Sequence, residues 1–242
     1  MSAPLLTVTG VSKRFGGFSA LTDVSLMVRR GERLGIIGPN GSGKTTLINC
    51  ISGALRGDTG SIDFDGTDVT RLPTYQRTRL GIARSFQIPR PFASMTLAEN
   101  VAVPLEYVTF RQLLHTADIR KETLLILEQM GLADKADVPA SDLTQVDLRR
   151  LELARAMAAR PSLLILDEVM AGLSSSEVDE VLGLVLILNQ RGVTIIMIEH
   201  IMRAIMRFSE RVVCLDAGQV MADGTPGDIS SDPNVRRIYL GA

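Results

Sequence analysis

Short runs of the chain are apolar almost throughout, with none of the alternation of a half-exposed strand. Residues 163–166 and 193–198 are of this kind, and a run over residues 33–37 ends in glycine and proline. Such runs indicate strands buried on both faces, as in a parallel sheet covered by helices. Helical patterns over residues 45–54 and 176–190 come between them. The pattern therefore predicts an α/β fold in which strands and helices alternate.

Turn residues separate shorter strand patterns near both ends of the chain. The patterns are residues 5–11 and 24–28 on either side of Gly16-Gly17, residues 61–64 before Asp65-Gly66, and residues 211–215 and 219–222 around Ala217-Gly218. Paired glycines and Asp-Gly or Ala-Gly steps favour tight turns. We therefore predict short strands at all of these positions and hairpins after residue 61 and around Gly218.

The middle of the chain has a different pattern. Residues 97–159 are almost all helical in pattern and contain no convincing strand, and no Gly/Ser-rich or Pro-rich linker marks off an independent domain. We interpret this region as an α-helical insertion in the α/β core.

Composition excludes several classes of protein. The 242 residues are 45% hydrophobic and 22% charged, which excludes disordered and collagen-like chains. A net charge of −1 gives no general attraction to nucleic acid, and the two cysteines, Cys50 and Cys214, are expected in the core. No secretory signal is evident, and apolar stretches such as residues 181–188 are shorter than the ~20 residues of a membrane helix, so a cytosolic protein is expected.

One motif indicates a phosphate-binding loop. The pattern G-x-x-x-x-G-K-[ST] is matched by Gly38-Pro39-Asn40-Gly41-Ser42-Gly43-Lys44-Thr45. Glycines let backbone N–H groups turn toward phosphate oxygens, and the following helix adds partial positive charge. Lys44 is expected to neutralise the β- and γ-phosphates and the Thr45 hydroxyl to ligate Mg²⁺. A Rossmann dinucleotide site fits worse, because its third glycine would fall at Thr46.

Three further side chains suit the other half of such a site. Asp167 ends a buried strand and suits Mg²⁺, while Glu168, the next residue, is placed to polarise a water that attacks the γ-phosphate. His200 follows the apolar run at residues 193–198, at the sheet edge where ligands collect, and is expected to contact the γ-phosphate. The other histidine, His115, has no partner pattern and is expected at the surface. A glutamine at position 87 does not by itself indicate a functional role.

Taken together, these features resemble a known family. The phosphate loop, Gln87, a helix-opening segment at Leu143, Asp167-Glu168 and His200 occur in the order and spacing of ABC transporter ATPase subunits. The resemblance implies a P-loop NTPase (RecA-like) core with an N-terminal antiparallel β subdomain and an α-helical subdomain insertion. It implies one ABC ATPase domain over residues 5–240, with residues 5–87 and 161–240 in the core and residues 97–160 in the helical part.

The resemblance also assigns roles to residues. It implies that Lys44, Glu168 (the base) and His200 (the switch histidine) are catalytic, and that Phe15 stacks on adenine. The implied contacts to ATP are made by Phe15, Gly38, Pro39, Asn40, Gly41, Ser42, Gly43, Lys44, Thr45, Thr46, Gln87 and Asp167. Those implied for Mg²⁺ are Thr45, Gln87 and Asp167.

Four short segments of the sequence point to one branch of this family. Residues 81–87, 151–156, 167–173 and 238–241 are similar to the ATPases of branched-chain (hydrophobic) amino acid importers. That branch also includes importers of urea, amides and aromatic acids, so the resemblance defines the transported solute less narrowly than it defines the ATPase activity. The family works with transmembrane permeases and a solute-binding protein and binds no nucleic acid, which implies a peripheral position on the cytoplasmic face of the inner membrane. By resemblance, a permease helix docks near residues 86–92.

One segment departs from the family. The family signature L-S-G-G-Q is here Leu143-Thr144-Gln145-Val146-Asp147. Thr144 is expected to cap a helix whose free N–H groups face outward, and the β-branched Val146 would crowd an approaching γ-phosphate. In the family two ATPase subunits pair head to tail, so this segment faces the partner's ATP. The departure favours a heterodimer in the working complex.

Three classes of function follow. The first is the ATPase of an importer for branched-chain or other amino acids or related small solutes, with a lipid or polysaccharide exporter as a variant. The second is a catalytically weak, regulatory nucleotide-binding subunit, which Val146 and Asp147 suggest. The third is an unrelated P-loop enzyme such as a small-molecule kinase, which would need an arginine-rich lid; the helical region has no arginine cluster beyond Arg149-Arg150.

Overall fold

A computed structural model describes residues 3–85, 90–109 and 116–240. Within these ranges the strands are β1 (Leu6–Phe15), β2 (Phe18–Val28), β3 (Arg33–Ile37), β4 (Thr59–Phe64), β5 (Thr67–Asp68), β6 (Ile82–Arg84), β7 (Leu163–Asp167), β8 (Thr194–Ile198), β9 (Arg211–Asp216) and β10 (Gln219–Gly224). The α-helices are α1 (Lys44–Ser52), α2 (Thr74–Leu80), α3 (Leu97–Thr109), α4 (Thr116–Gln129), α5 (Gln145–Ala158), α6 (Ser175–Gln190), α7 (Met202–Phe208), α8 (Pro226–Ser231) and α9 (Pro233–Leu240).

The larger sheet has six strands in the order β10-β9-β3-β8-β7-β6. All neighbours are parallel except the β9–β10 hairpin. Every residue of β7 and β8 is buried, because helices pack on one face and the smaller sheet with α1 on the other. This confirms the predicted α/β fold with a largely parallel sheet, and it brings the carboxyl ends of β3, β7 and β8 to one edge.

The smaller sheet is antiparallel, in the order β2-β1-β4-β5, as the N-terminal β subdomain requires. Its first two strands are longer than predicted and continue to the hairpin, where Phe15 pairs with Phe18. The extensions carry exposed polar side chains and register shifts between Val8 and Arg14, so no simple alternation marks them.

Side chains of the larger sheet alternate between two hydrophobic clusters. Leu164 and Leu166 pack with the helices α3 to α7, whereas Leu163 and Ile165 pack with α1 and the smaller sheet. Cys50 and Cys214 are both free and buried, as predicted. None of the described helices has the length and apolar character needed to cross a membrane.

The helical pattern of residues 97–159 is confirmed as α3, α4 and α5. The one β contact among its described residues is an isolated bridge from Thr96 to Pro139. The sequence did not predict β6, a three-residue edge strand that pairs with β7 alone. It also did not predict the short helices α2, α7, α8 and α9.

Candidate active site

The glycine-rich loop joins the end of β3 to the start of α1. Gly43 has φ +103°, and a Cβ there would lie 2.6 Å from the Ala20 carbonyl oxygen. A Cβ on Gly38 would lie 2.2 Å from the Leu215 carbonyl oxygen. The loop therefore depends on glycine at both positions, because a side chain would collide with neighbouring backbone.

The loop presents the positive end of α1 to the cavity. Gly43 is the N-cap and makes no side-chain cap hydrogen bond to the first turn. The Gly218 N–H donates to Ser42 O (3.0 Å), which fixes the loop against the β9–β10 turn. The Ser42 hydroxyl is buried and has no hydrogen-bond partner among the described residues. Backbone N–H groups at the start of a helix are hydrogen-bond donors that commonly bind phosphate.

Lys44 is folded back over the same loop. Its Nζ donates to the carbonyl oxygens of Gly38 (2.7 Å) and Pro39 (3.0 Å). Burial lowers the pKa of Lys44, while the carboxylates of Glu168 and Asp167 act to raise it. The ammonium group is thus held inside the loop, near the positions that phosphate oxygens would take.

Glu168 and His200 meet at the carboxyl ends of β7 and β8. The two atoms Glu168 Oε1 and His200 Nε2 are 2.6 Å apart. Glu168 has φ +50°, a left-handed conformation that is uncommon outside glycine. A carboxylate and an imidazole in direct contact can accept a proton from water and bind a phosphate oxygen, respectively.

A single open cavity of about 590 Å³ brings most of the candidate residues together. Its lining comprises Phe15, Phe18, Ala20, Asn40, Gly41, Ser42, Gly43, Lys44, Thr45, Thr46, Glu168 and His200. Phe18 was not predicted to line the site, although aromatic residues on both sides of Gly16-Gly17 are a signal for it. The predicted contacts at Gln87 and residues 86–89, and His115, lie outside the described residues.

Asp167 is held by a side chain that the sequence analysis did not single out. Arg84 Nη2 lies 2.6 Å from Asp167 Oδ2, and Arg84 Nη1 donates to Asn49 Oδ1 at 2.6 Å. Both members of the ion pair are largely buried. Arg84 thereby links β6, the strand that leads into the segment of Gln87, to the end of β7 and to α1.

The oxygen donors present fit Mg²⁺. Thr45 supplies a hydroxyl in the cavity and Asp167 a carboxylate at the same sheet edge. No cluster of three or more His, Cys, Asp or Glu side chains suited to a metal occurs in the described ranges. Mg²⁺ characteristically uses one or two protein oxygen ligands together with substrate phosphates and water, so this small donor set suits it.

The segment at residues 143–147 begins helix α5. Thr144 is the N-cap, as predicted, and its hydroxyl accepts from the Asp147 N–H (3.3 Å) and donates to Asp147 Oδ2 (2.9 Å). The expectation of free N–H groups at this helix end is therefore wrong for Asp147. Lys135 Nζ is 2.6 Å from the same carboxylate. Burial acts to raise the pKa of Asp147, but the hydrogen bonds from Lys135 and Thr144 outweigh it and lower the pKa.

A second carboxylate lies next to His200. Glu199 is 3% exposed, and its Oε1 accepts from the Met170 N–H at 2.9 Å. Burial is the main cause that raises the pKa of Glu199 to about 7. An acidic residue directly after a fully apolar strand is a sequence signal by which Glu199 could have been predicted to lie at the site.

The raised pKa makes stability depend on pH. The folded chain keeps the Glu199 proton where the unfolded chain has lost it, so ionisation should lower the free energy of unfolding between about pH 4.5 and 7. We expect the advantage of Glu199→Gln over the native chain to grow by about 3 kcal/mol across this range. Urea unfolding at pH 5 and pH 8 measures it, and an equal advantage at both pH values would contradict it.

Comparison with known proteins agrees with this geometry. Residues 21–171 match the ABC transporter family, and residues 219–242 match the branched-chain amino acid ATP-binding cassette transporter family. The chain is 40% identical to the high-affinity branched-chain amino acid transport ATP-binding protein LivG of Salmonella typhimurium, covering 100% of this chain and 99% of that protein. It is 38% identical, with the same coverage, to BraF of Pseudomonas aeruginosa, which carries the same description.

Solved structures give the same result. The ADP conformation of MJ1267, an ATP-binding cassette of an ABC transporter, superposes with a TM-score of 0.90 at 31% identity and covers all of both chains. A dimeric cassette, MJ0796 bound to ADP and Pi, superposes with a TM-score of 0.82 at 26% identity, over 91% of this chain and 98% of that one. The family match and the full-length similarity to relatives and solved structures agree with the geometry of the site. The chain therefore belongs to the ABC transporter family, as one of the ATP-binding cassettes that hydrolyse ATP.

Proposed function

We propose that this cassette powers an importer of branched-chain or other amino acids, or of related small solutes. The observation that carries the ATPase part of the proposal is the Glu168–His200 pair, because it places a carboxylate base in the cavity of the phosphate loop. The names of LivG and BraF support amino acids as the solute. They do not favour a lipid or polysaccharide exporter.

In this proposal the N–H groups of the loop and Lys44 hold the triphosphate. Phe15 is exposed at the hairpin end and stacks on adenine, with Lys13 Nζ 5.7 Å from its ring centre. Mg²⁺, when bound, neutralises charge on the β- and γ-phosphates; Thr45 and Asp167 are the described residues that would hold it, with Gln87 the third proposed ligand.

Glu168 accepts the proton of the attacking water, since it lines the cavity beside the loop. His200 hydrogen-bonds the γ-phosphate and, through its contact with Glu168, keeps that carboxylate pointed into the cavity. Both side chains are partly exposed, so water has access to them.

A second cassette is the proposed partner in ATP hydrolysis, arranged head to tail so that residues 143–147 face the partner's nucleotide. Asp147 is buried in the first turn of α5, where its carboxylate pairs with Lys135 and accepts a hydrogen bond from the Thr144 hydroxyl. A γ-phosphate there would meet the β-branched Val146 and a Thr144 hydroxyl that is already hydrogen-bonded. We therefore propose a heterodimer, in which Lys44 and Glu168 of this chain act against a fuller signature in another subunit.

The membrane partners are proposed to dock in an open groove of about 1,100 Å³ between α2, α3 and α5. Phe92 and Tyr107 expose apolar rings in it, and the Arg155 guanidinium lies 5.3 Å from the Phe92 ring centre. An apolar groove with a charged rim suits a short cytoplasmic helix of a permease. The cassette then lies peripherally on the cytoplasmic face of the inner membrane, with a solute-binding protein on the other side.

The division of the chain into parts is also a proposal. Residues 5–87 and 161–240 form the core with its β subdomain, and residues 97–160 form the helical part of the same domain. Helices α3 to α5 share a hydrophobic cluster with the larger sheet, which supports one domain over residues 5–240.

The heterodimer is tested by a change of mass. In a Glu168→Gln background, which should retain ATP, we expect the chain alone to stay monomeric with Mg·ATP. Adding Val146→Gly and Asp147→Gln should approximately double the mass measured by light scattering, because the first change removes the crowding and the second restores the glutamine of the family signature. Lys44→Ala in that triple variant is the control and should return the monomer. An ATP-dependent homodimer of Glu168→Gln itself would contradict the proposal.

The transport function is tested in vesicles that hold this chain, the partner cassette, the permease subunits and a solute-binding protein. Labelled leucine should accumulate only with ATP. Accumulation without ATP, or ATP hydrolysis that no amino acid or related solute stimulates, would contradict it.

A further inference from the structure

The backbone around Glu168 is held by more than its own strand. Its φ of +50° is a left-handed conformation that a non-glycine residue keeps only where the surrounding structure enforces it. The Glu168 N–H donates to the Ile198 carbonyl oxygen (2.9 Å), and its own carbonyl accepts from the Ala171 N–H (3.2 Å). The direction of the Glu168 side chain therefore depends on the turn over residues 168–171.

Two buried charged side chains from other segments hold that turn. Glu199 Oε1 accepts from the Met170 N–H at 2.9 Å, and Arg149 Nη2 donates to the Ala171 carbonyl oxygen at 3.1 Å. Glu199 is 3% exposed and Arg149 is 7% exposed. Burying an ionisable side chain costs free energy. Two such side chains that hydrogen-bond adjacent residues of the same turn therefore indicate that the position of this turn matters.

We propose that Glu199 and Arg149 are positioning residues for Glu168, with Glu199 holding the turn from the β8 side and Arg149 from helix α5. The inference rests on the proposed role of Glu168 as the base. Neither side chain touches the nucleotide in this scheme. Both act by fixing the turn, and a base displaced by about 1 Å loses much of its effect.

The charges that face Glu199 come from two other segments. Arg149 on α5 favours its ionised form, and the carboxylate of Glu168 after β7 disfavours it; the N–H groups of Met170 and His200 also point to it. The pKa of Glu199 is raised to about 7, so its charge changes within the pH range of activity assays. Glutamine at this position keeps the acceptor oxygen and removes the titration.

The test compares Glu199→Ala, Glu199→Gln and a matched control in the transporter purified from this chain and its partner subunits. The control is Glu32→Ala, because Glu32 is also buried, accepts a backbone N–H (from Arg29, 2.6 Å) and pairs with an arginine, but precedes β3 at the opposite edge of the sheet. We expect Glu199→Ala to lower kcat for ATP by about 10- to 100-fold with KM unchanged. We expect Glu32→Ala to leave kcat unchanged.

Glu199→Gln separates positioning from mere stability. It should recover most of kcat at pH 7, and its pH profile should lack an inflection near pH 7 that the native profile shows. Equal kcat in Glu199→Ala and the native chain would overturn the proposal, and so would superimposable pH profiles of Glu199→Gln and the native chain. If Glu199→Ala fails to fold, the comparison of the pH profiles of Glu199→Gln and the native chain still tests the proposal. A native transporter that neither binds nor hydrolyses ATP would instead overturn the proposed function.

Discussion

Glu168→Gln should lower ATP turnover by about 10²–10⁴-fold and leave ATP affinity nearly unchanged. Glutamine has almost the shape of glutamate and still contacts His200, but it cannot accept a proton from water. Because Lys44 and the loop are untouched, binding should persist. Steady-state phosphate release by the transporter that contains this chain and its partner cassette measures turnover, and binding of a fluorescent ATP analogue measures affinity.

The matched control for this variant is Glu106→Gln, a glutamate exposed on α3 and away from the cavity. It should hydrolyse ATP at the native rate. Turnover of Glu168→Gln within twofold of the native rate would show that another group is the base, and the assignment of Glu168 would be wrong.

Lys44→Ala should weaken ATP binding itself. The ammonium group lies inside the loop, within 2.7 Å of the Gly38 carbonyl oxygen, and is buried. Removing one member of a buried charge pair costs about 2–5 kcal/mol, or about 30-fold to several-thousand-fold in Kd. Titration calorimetry with Mg·ATP measures the loss directly.

Lys121→Ala is the control for charge, because Lys121 is exposed on α4. It should bind ATP as the native chain does. Equal affinities of Lys44→Ala and the native chain would mean that the triphosphate does not lie in the loop. Equal losses in both lysine variants would mean that only net charge matters.

The fold was largely predictable where burial on two faces leaves an unambiguous pattern. The apolar runs at residues 163–166 and 193–198 correspond to β7 and β8 within one residue at an end. The phosphate loop was predictable because its glycines obey a local steric rule, and Gly43 shows the collision that enforces it. The edge strand β6 was not, since three residues carry too little periodicity.

The contacts that the supporting side chains make could not be predicted from the sequence, for a different reason. Arg84 meets Asp167 across 83 residues of chain, and Glu199 meets Met170 across 29. Neither contact leaves a local pattern; each exists because β6, β7 and β8 lie side by side. The segment at Thr144 was partly predictable, as an N-cap, but the hydrogen bonds that Asp147 makes to Thr144 and Lys135 were not.

The most direct test of the account is a crystal structure of Glu168→Gln with Mg·ATP. We expect the β- and γ-phosphates within residues 38–45, with Lys44 Nζ turned from the Gly38 carbonyl to a phosphate oxygen. We also expect the metal at the Thr45 hydroxyl and adenine against Phe15. A triphosphate bound elsewhere, or a loop that stays closed around Lys44 at saturating ATP, would contradict it.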